Sequence, residues 1–226
     1  MKKANLFALA LSLLIISPGI IWAQRTEPQI FITWSTKVYV PSDFPGKAFP
    51  SAMSPIAASV FVVDNGKVAD LSRQIIYWYL DDELISNSVG VQSVRFIAKD
   101  VIAGIQSLRV QFPNYKNDIL IKTVEIPIVS PEAVIELPLK DNNFSSQRLD
   151  MKGKPFFFNV PIASRLTFLW SVNGQKASST KNQDELNINF GSEPALGSIF
   201  NVDLIIRNVQ NIQEFARKNL VLTFKK

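Results

Sequence analysis

Two segments of the chain, 92 positions apart, repeat one pattern around a tryptophan. "IIYWYLDDELIS" covers residues 75 to 86, and "TFLWSVNGQKAS" covers residues 167 to 178. In this alignment Trp78 falls on Trp170, and Asp81-Asp82 falls on Asn173-Gly174. A fixed period of this length predicts two copies of one structural unit. The repeat therefore limits the possible folds more than any other feature of the sequence.

The segments that follow each tryptophan repeat as well. Each copy continues with short stretches in which apolar and polar residues alternate, separated by glycine-containing bends, as is typical of half-buried strands. The aligned pairs are "SVRFIA" (93–98) with "ELNINF" (185–190), "SLRVQF" (107–112) with "NVDLII" (201–206), and the closing strands "LIKTVEIPI" (120–128) and "NLVLTFKK" (219–226).

Further strands are expected upstream of each tryptophan. They are "PIAASVFVVD" (55–64) and "KPFFFNVPI" (154–162), preceded by "QIFITWSTKVYVP" (29–41) and "PEAVIELPL" (131–139). Regular short strands with turn signals between them predict an all-β fold made of β-sandwiches. We expect two such domains in tandem, over residues 28–129 and 130–226, joined with almost no spacer.

The pattern resembles the immunoglobulin-like sandwich and, within it, the PKD-like modules of bacterial surface proteins. The similarity is carried by Trp78 in "YWYLDD" and Trp170 in "LWSVNG", each on what would be strand C. The resemblance implies that both indoles are structural core residues between two sheets. The chain differs from better-known members because it has no disulfide cysteines, no tyrosine near the start of strand F and no Gly-Asp-Gly turn. The stretch "TKVYVPSDFPGKAFPSAMSPI" is also similar to exported proteins of candidate bacterial phyla.

The first 23 residues have the layout of a secretory signal peptide. Two lysines precede an apolar stretch from Ala4 to Ile16, a Pro-Gly break follows, and a small residue stands at Ala23. We expect cleavage after Ala23 and export of the protein. An uncleaved membrane anchor is the alternative, because the apolar stretch extended through Trp22 would reach the length of a membrane span.

The residue types that are missing exclude several kinds of chemistry. The chain has no histidine and no cysteine, which removes the Ser-His-Asp triad, the Cys-His dyad and ordinary zinc or copper sites. The formal net charge of +5 is spread along the chain with no basic block, so nucleic-acid binding is not expected. We predict a protein that is not an enzyme and uses no cofactor or metal. A carboxylate-dependent hydrolase stays open as an alternative.

The acidic run Asp81-Asp82-Glu83 has three interpretations. Its first two residues occupy the position of Asn173-Gly174, which is the strongest two-residue hairpin signal. Aspartate tolerates the left-handed conformation that such turns need, so we interpret Asp81-Asp82 and Asn173-Gly174 as matching turns. Calcium binding is an alternative because clustered carboxylates supply hard oxygen ligands. Catalysis is the third, but a glycosidase needs two carboxyls across a cleft.

Aromatic residues give the only positive indication of a binding surface. If Trp78 points inward, strand alternation places Tyr77 and Tyr79 on the other face of the strand. Two neighbouring tyrosines on an outer face are suited to a sugar ring or a protein interface. The competing interpretation is that a neighbouring strand or the other domain covers them. By the same reasoning Phe157 is expected to be exposed or interfacial.

These observations predict an exported, non-enzymatic binding, adhesion or spacer protein of the cell envelope. Its partner would be a protein or a glycan, with no nucleic acid, and with a membrane only if the N-terminal segment is uncleaved. The alternative is a structural subunit of an envelope assembly, such as a pilus, secretion or surface-layer system, that pairs with partner chains through a sheet edge.

Overall fold

The structure of the protein is a computed structural model that describes residues 27–101, 103–139, 141–177 and 182–225. The predicted signal peptide, residues 1–23, lies outside the described residues. Within the described part, strands dominate and the one helical element is a 3₁₀ turn at Ala163–Arg165. No helix in that part is long and apolar enough to cross a membrane. The prediction of an all-β fold is confirmed.

The first eight strands form two antiparallel sheets, which we call the N-terminal sandwich. In one sheet β2 lies between β1 and β6, with β3 paired to the end of β2, and the other sheet has the order β5-β4-β7-β8. The strands are β1 (Gln29–Thr36), β2 (Pro55–Asp64), β3 (Lys67–Val68), β4 (Ile75–Leu80), β5 (Glu83–Val89), β6 (Ser93–Ile97), β7 (Gly104–Tyr115) and β8 (Asp118–Ile128).

The remaining strands form the C-terminal sandwich. Apart from the short strands β3 and β10, three strands face four in both sandwiches. One sheet has the order β14-β11-β9; the other has β13-β12-β15-β16, extended by a short parallel pairing of β10 with β16. The strands are β9 (Glu132–Glu136), β10 (Asn143–Phe144), β11 (Arg148–Phe156), β12 (Leu166–Val172), β13 (Gln175–Ala177), β14 (Glu185–Asn189), β15 (Ile199–Asn208) and β16 (Phe215–Phe224).

The order of pairing makes both halves immunoglobulin-like. In the usual lettering, strands A, B and E face strands C′, C, F and G in each half. Strict alternation along β2, where every second residue from Ile56 to Val62 is buried, turns one face of the sheet inward. The expected boundary between residues 129 and 130 falls between β8 and β9.

Each sandwich has its own hydrophobic core between its two sheets. The N-terminal core includes Trp78, Phe112 and Ile126, and the C-terminal core includes Trp170, Leu204 and Phe224. Each such side chain contributes about 1.5–3 kcal/mol when fully buried. With no disulfide available, burial of this kind is the main source of stability.

The prediction of a strand over residues 154–162 is wrong. β11 runs instead from Arg148 to Phe156, where it pairs with β14 and then with β9. The strand ends because Phe157 has φ +61°, a left-handed conformation that breaks the extended ladder. Phe158 then forms an isolated bridge with Tyr39.

The connection between β1 and β2, residues 37–54, contacts the C-terminal sandwich, and we call it the clasp segment. The Tyr39 N–H donates to the Phe158 carbonyl at 2.7 Å, and the Phe157 N–H donates to the Tyr39 carbonyl at 2.8 Å. The ring of Phe157 lies 5.9 Å from that of Phe44 and 6.1 Å from that of Phe49, measured between centroids. Phe157 is therefore half-buried against the clasp segment.

Candidate functional site

The two tryptophans of the repeat occupy equivalent places in the two cores. Trp78 and Trp170 are both buried. The indole N–H of Trp78 donates to the Val91 carbonyl at 2.9 Å, and that of Trp170 donates to the Gln183 carbonyl at 3.1 Å. In both cases the acceptor lies 13 residues after the tryptophan. The repeat thus preserves a buried polar contact together with the packing of the ring.

The turns after the tryptophans also match. Asp81 and Asp82 have φ values of +49° and +68°, and Asn173 and Gly174 have +49° and +77°. Two successive positive φ angles are what a two-residue type I′ hairpin requires. β4 and β5 flank the first turn, and β12 and β13 flank the second.

The two aspartates of the first turn lie beside basic side chains. The Asp81 carboxylate is 2.8 Å from Lys99 Nζ, and that of Asp82 is 3.1 Å from Arg109 Nη2. Partial burial raises the pKa of Asp81, but the hydrogen bonds from Lys99, Ser107 and Gln106 and the charge of Lys99 together lower it below its usual value. Among the described residues no group of three His, Cys, Asp or Glu side chains is arranged to hold a metal ion.

Tyr77 and Tyr79 lie next to each other on the outer side of the β5-β4-β7-β8 sheet, opposite the side that buries Trp78. Their ring centroids are 6.4 Å apart in an edge-to-face arrangement. Both residues are half-buried, so part of each side chain is open to solvent. No strand of the described chain covers this side.

Other outward residues of this sheet continue the surface around the two tyrosines. The register places Asn87, Tyr77, Gln111 and Ile121 in one row across the four strands, and Leu84, Tyr79, Arg109 and Thr123 in the next. We call these two rows the tyrosine face. The Arg109 guanidinium stacks over the Tyr79 ring at 4.0 Å from its centroid, a favourable cation–π contact.

The corresponding face of the C-terminal sandwich has a different composition. Leu169 and Ser171 stand where the first copy has Tyr77 and Tyr79. Across the sheet from Leu169 the register places Ile205 and then Arg217, which pairs with Asp203 at 2.7 Å. The paired tyrosines are therefore a property of one copy and not of the fold.

Sequence reasoning located the tyrosines but missed Arg109. The signal was present, because Arg109 stands between the core residues Leu108 and Val110 in "SLRVQF" and so must point outward. What the sequence lacked was the register of β4 against β7, which pairs Tyr79 with Arg109.

No protein-family model matches the chain, and no curated protein matches it. Solved structures similar to it include the fibronectin(III)-like modules of Clostridium thermocellum CbhA (14% identity, TM-score 0.29, 83% of this chain and 94% of that one). Others are the adhesin InvE of Yersinia pseudotuberculosis (10%, 0.29, 85% and 58%) and the Bacteroides ovatus glucan utilisation protein SGBP-B with a mixed-linkage heptasaccharide (12%, 0.25, 90% and 48%). The chain thus spans about half the length of the last two.

Proposed function

We propose that the protein is a non-enzymatic, exported binding or adhesion module of a bacterial cell envelope, and that the tyrosine face binds a folded partner protein. The observation that carries the proposal is the edge-to-face pair of Tyr77 and Tyr79 on an uncovered sheet, with Arg109 stacked on it. Tyrosine and arginine are enriched among the residues that contribute most to protein–protein binding.

The surroundings of the tyrosines support a protein partner over a polar ligand. Leu84, Ile121 and Ile75 are all exposed on this side of the sheet. Arg109 is the one charged residue in the two rows that form the tyrosine face. Depletion of charge around aromatic and aliphatic side chains is typical of the buried centre of a protein interface. A face of this kind loses little hydration free energy when a complementary surface covers it.

The alternative is that the protein is an assembly subunit that pairs with partner chains through a strand. The free edge of β5 supports this alternative less well than the tyrosine face supports binding. β5 pairs with β4, and the register shifts between Trp78 and Tyr79, which leaves Ile85 as a bulge. A bulge interrupts the row of backbone groups that an added strand would need and protects an edge from pairing. Binding through the face is therefore favoured over pairing through this edge.

The test compares the two copies of the repeat. The double variant Tyr77→Ala/Tyr79→Ala is expected to lose binding to the native envelope fraction while keeping its unfolding midpoint within a few degrees of wild type. Leu169→Ala/Ser171→Ala, at the equivalent positions of the other sandwich, is the matched control and should bind normally. Equal binding by both double variants and wild type would remove the proposed role of the tyrosine face.

A further inference from the structure

A second candidate site lies on the C-terminal sandwich, away from the tyrosine face. It is an open groove of about 760 Å³ beside the clasp segment. Along β11 the groove occupies the stretch between Lys152, the last residue paired with β14, and Phe158, which bridges Tyr39. This volume is in the range of small-ligand sites, about 300–1,000 Å³.

The charges that line the groove are almost balanced. Lys154 Nζ lies 2.7 Å from the Asp43 carboxylate and 3.1 Å from that of Glu136. Lys152 Nζ lies 3.8 Å from the Asp184 carboxylate. Among the described lining residues both lysines thus face carboxylates, and there is one more carboxylate than ammonium group. The described residues of the lining offer no unpaired cation to phosphates, sulfates or acidic polymers, so these anions gain little from entering the groove.

The backbone inside the groove does not suit an added peptide strand. The Gly153 N–H already donates to the Asp184 carbonyl at 2.7 Å, and Lys154 pairs with Val134 on β9. Pro155, the next residue, has no N–H. An extended peptide that adds to a sheet needs alternate free donors and acceptors along the edge, so this stretch cannot bind one in that way.

The remaining lining combines flat apolar surfaces with neutral polar groups. Tyr39 and Phe168 are half-buried, pack against the C-terminal core and line the groove. Asn182 and Gln183 supply amide groups that both donate and accept hydrogen bonds. Rings for apolar C–H surfaces and amides for hydroxyl groups are the two requirements of a sugar site.

The wall that carries these amides is held in place by the core. Gln183 accepts the indole hydrogen bond of Trp170, and the Asp184 carbonyl is bound by Gly153. Asn182 accepts from the Glu185 N–H at 3.1 Å. Because three successive carbonyls are already fixed, little conformational entropy would be lost when a ligand binds there.

We propose that this groove binds a neutral oligosaccharide, and that it does so independently of the tyrosine face. The near-balanced charge disfavours anions, the backbone disfavours a peptide strand, and the rings and amides match the two surfaces of a sugar ring. One wall comes from the clasp segment, so a bound ligand contacts both the clasp segment and the C-terminal sandwich.

The experiment titrates the purified protein with cellohexaose, xylohexaose, mannohexaose and N-acetylchitohexaose, with hexagalacturonate as the anionic comparison. Binding is followed by calorimetry and by the indole ¹H–¹⁵N resonances. We expect at least one neutral hexasaccharide to bind and to shift the indole resonance of Trp170, whose N–H contacts the groove wall at Gln183. The resonance of Trp78, bonded to Val91, is the internal control and should stay in place.

Variants separate this site from the tyrosine face. Asn182→Ala/Asp184→Ala is expected to weaken hexasaccharide binding about tenfold or more, equivalent to about 1.4 kcal/mol or more, while Asp82→Ala/Asn87→Ala and Tyr77→Ala/Tyr79→Ala leave it unchanged. An unfolding midpoint equal to that of wild type shows that the fold of the unliganded variant is intact. The proposal is overturned if no neutral hexasaccharide shifts Trp170, if hexagalacturonate binds more tightly, or if the groove variant binds as wild type.

Discussion

Asp81 and Ser107 exchange two hydrogen bonds across the sheet. The Asp81 N–H donates to the Ser107 carbonyl at 2.8 Å, and the Ser107 N–H donates to the Asp81 carboxylate at 3.0 Å. Asn173 and Asn201 make the same two bonds in the second copy, both at 2.8 Å. The acidic turn therefore fixes the β4–β5 hairpin to the start of the next long strand, and an asparagine performs this role equally well.

This equivalence predicts a difference between two substitutions at Asp81. Asp81→Ala leaves the Ser107 N–H without its partner and places alanine at a positive φ, so it should lower the free energy of unfolding by about 1–3 kcal/mol. Asp81→Asn keeps the acceptor oxygen and tolerates the backbone conformation, and should cost less than about 1 kcal/mol. Urea denaturation of the two variants measures both values; equal losses would contradict the assigned role.

The lowered pKa of Asp81 predicts a dependence of stability on pH. A carboxyl whose pKa is lower in the folded state stabilises the fold above its unfolded value of 3.8, and this contribution is lost as the pH falls through the folded pKa. Wild type should therefore lose more stability than Asp81→Asn between about pH 5 and about pH 2. Urea denaturation at several pH values measures the free energy of unfolding of both proteins. If both lose the same amount of stability over this pH range, Asp81 does not contribute to the acid dependence.

The buried indoles predict matching effects in the two sandwiches. Trp78→Phe and Trp170→Phe each remove one indole N–H and leave the Val91 or Gln183 carbonyl without its donor. Together with the smaller ring, the loss should be about 1–3 kcal/mol in each case. Calorimetry measures it, and a neutral effect at either position would show that the hydrogen bond and the packing of that ring are dispensable.

The contacts of Glu214 predict that its side chain helps to hold the clasp segment against the C-terminal sandwich. Its carboxylate accepts from the Asn159 N–H at 2.6 Å, from the Asn208 side chain at 2.6 Å and from the Ser51 hydroxyl at 3.4 Å. Glu214→Ala leaves the buried Asn208 amide without this acceptor, at a cost of about 1–3 kcal/mol. Trypsin should then cleave faster after Lys37 and Lys47, within the clasp segment. Glu214→Gln, which keeps one acceptor, should fall between the two, and unchanged cleavage of Glu214→Ala would contradict the contact.

Much of the fold was predictable because it follows from local alternation. The bounds expected for β2, residues 55–64, agree with the structure, since its apolar residues recur at every second position. The end of β11 was not predictable, because "KPFFFNVPI" contains no glycine or asparagine at Phe157, where the chain turns into positive φ. Phe157, just after the end of β11, contacts the clasp segment through Tyr39, Phe44 and Phe49. We attribute its conformation to these long-range contacts, which the local sequence does not reveal.

The two candidate sites differ in how far the sequence could lead to them. Tyr77 and Tyr79 follow from the alternation around one buried tryptophan, which is a short-range property. The groove depends on pairs such as Asp43 with Lys154, which are 111 residues apart. Such a contact requires the packing of the clasp segment onto the other sandwich, and no periodic pattern in the chain encodes it.

Photo-crosslinking from the tyrosine face tests the central proposal most directly. Tyr77 is replaced by p-benzoylphenylalanine in one variant, and Ser59, exposed on the opposite sheet, in the other. Each is irradiated in the native envelope. We expect one saturable protein adduct from position 77, competed by unlabelled wild type but not by Tyr77→Ala/Tyr79→Ala, and none from position 59. Equal adducts from both positions, or equal competition by the double variant, would contradict a binding role for this face.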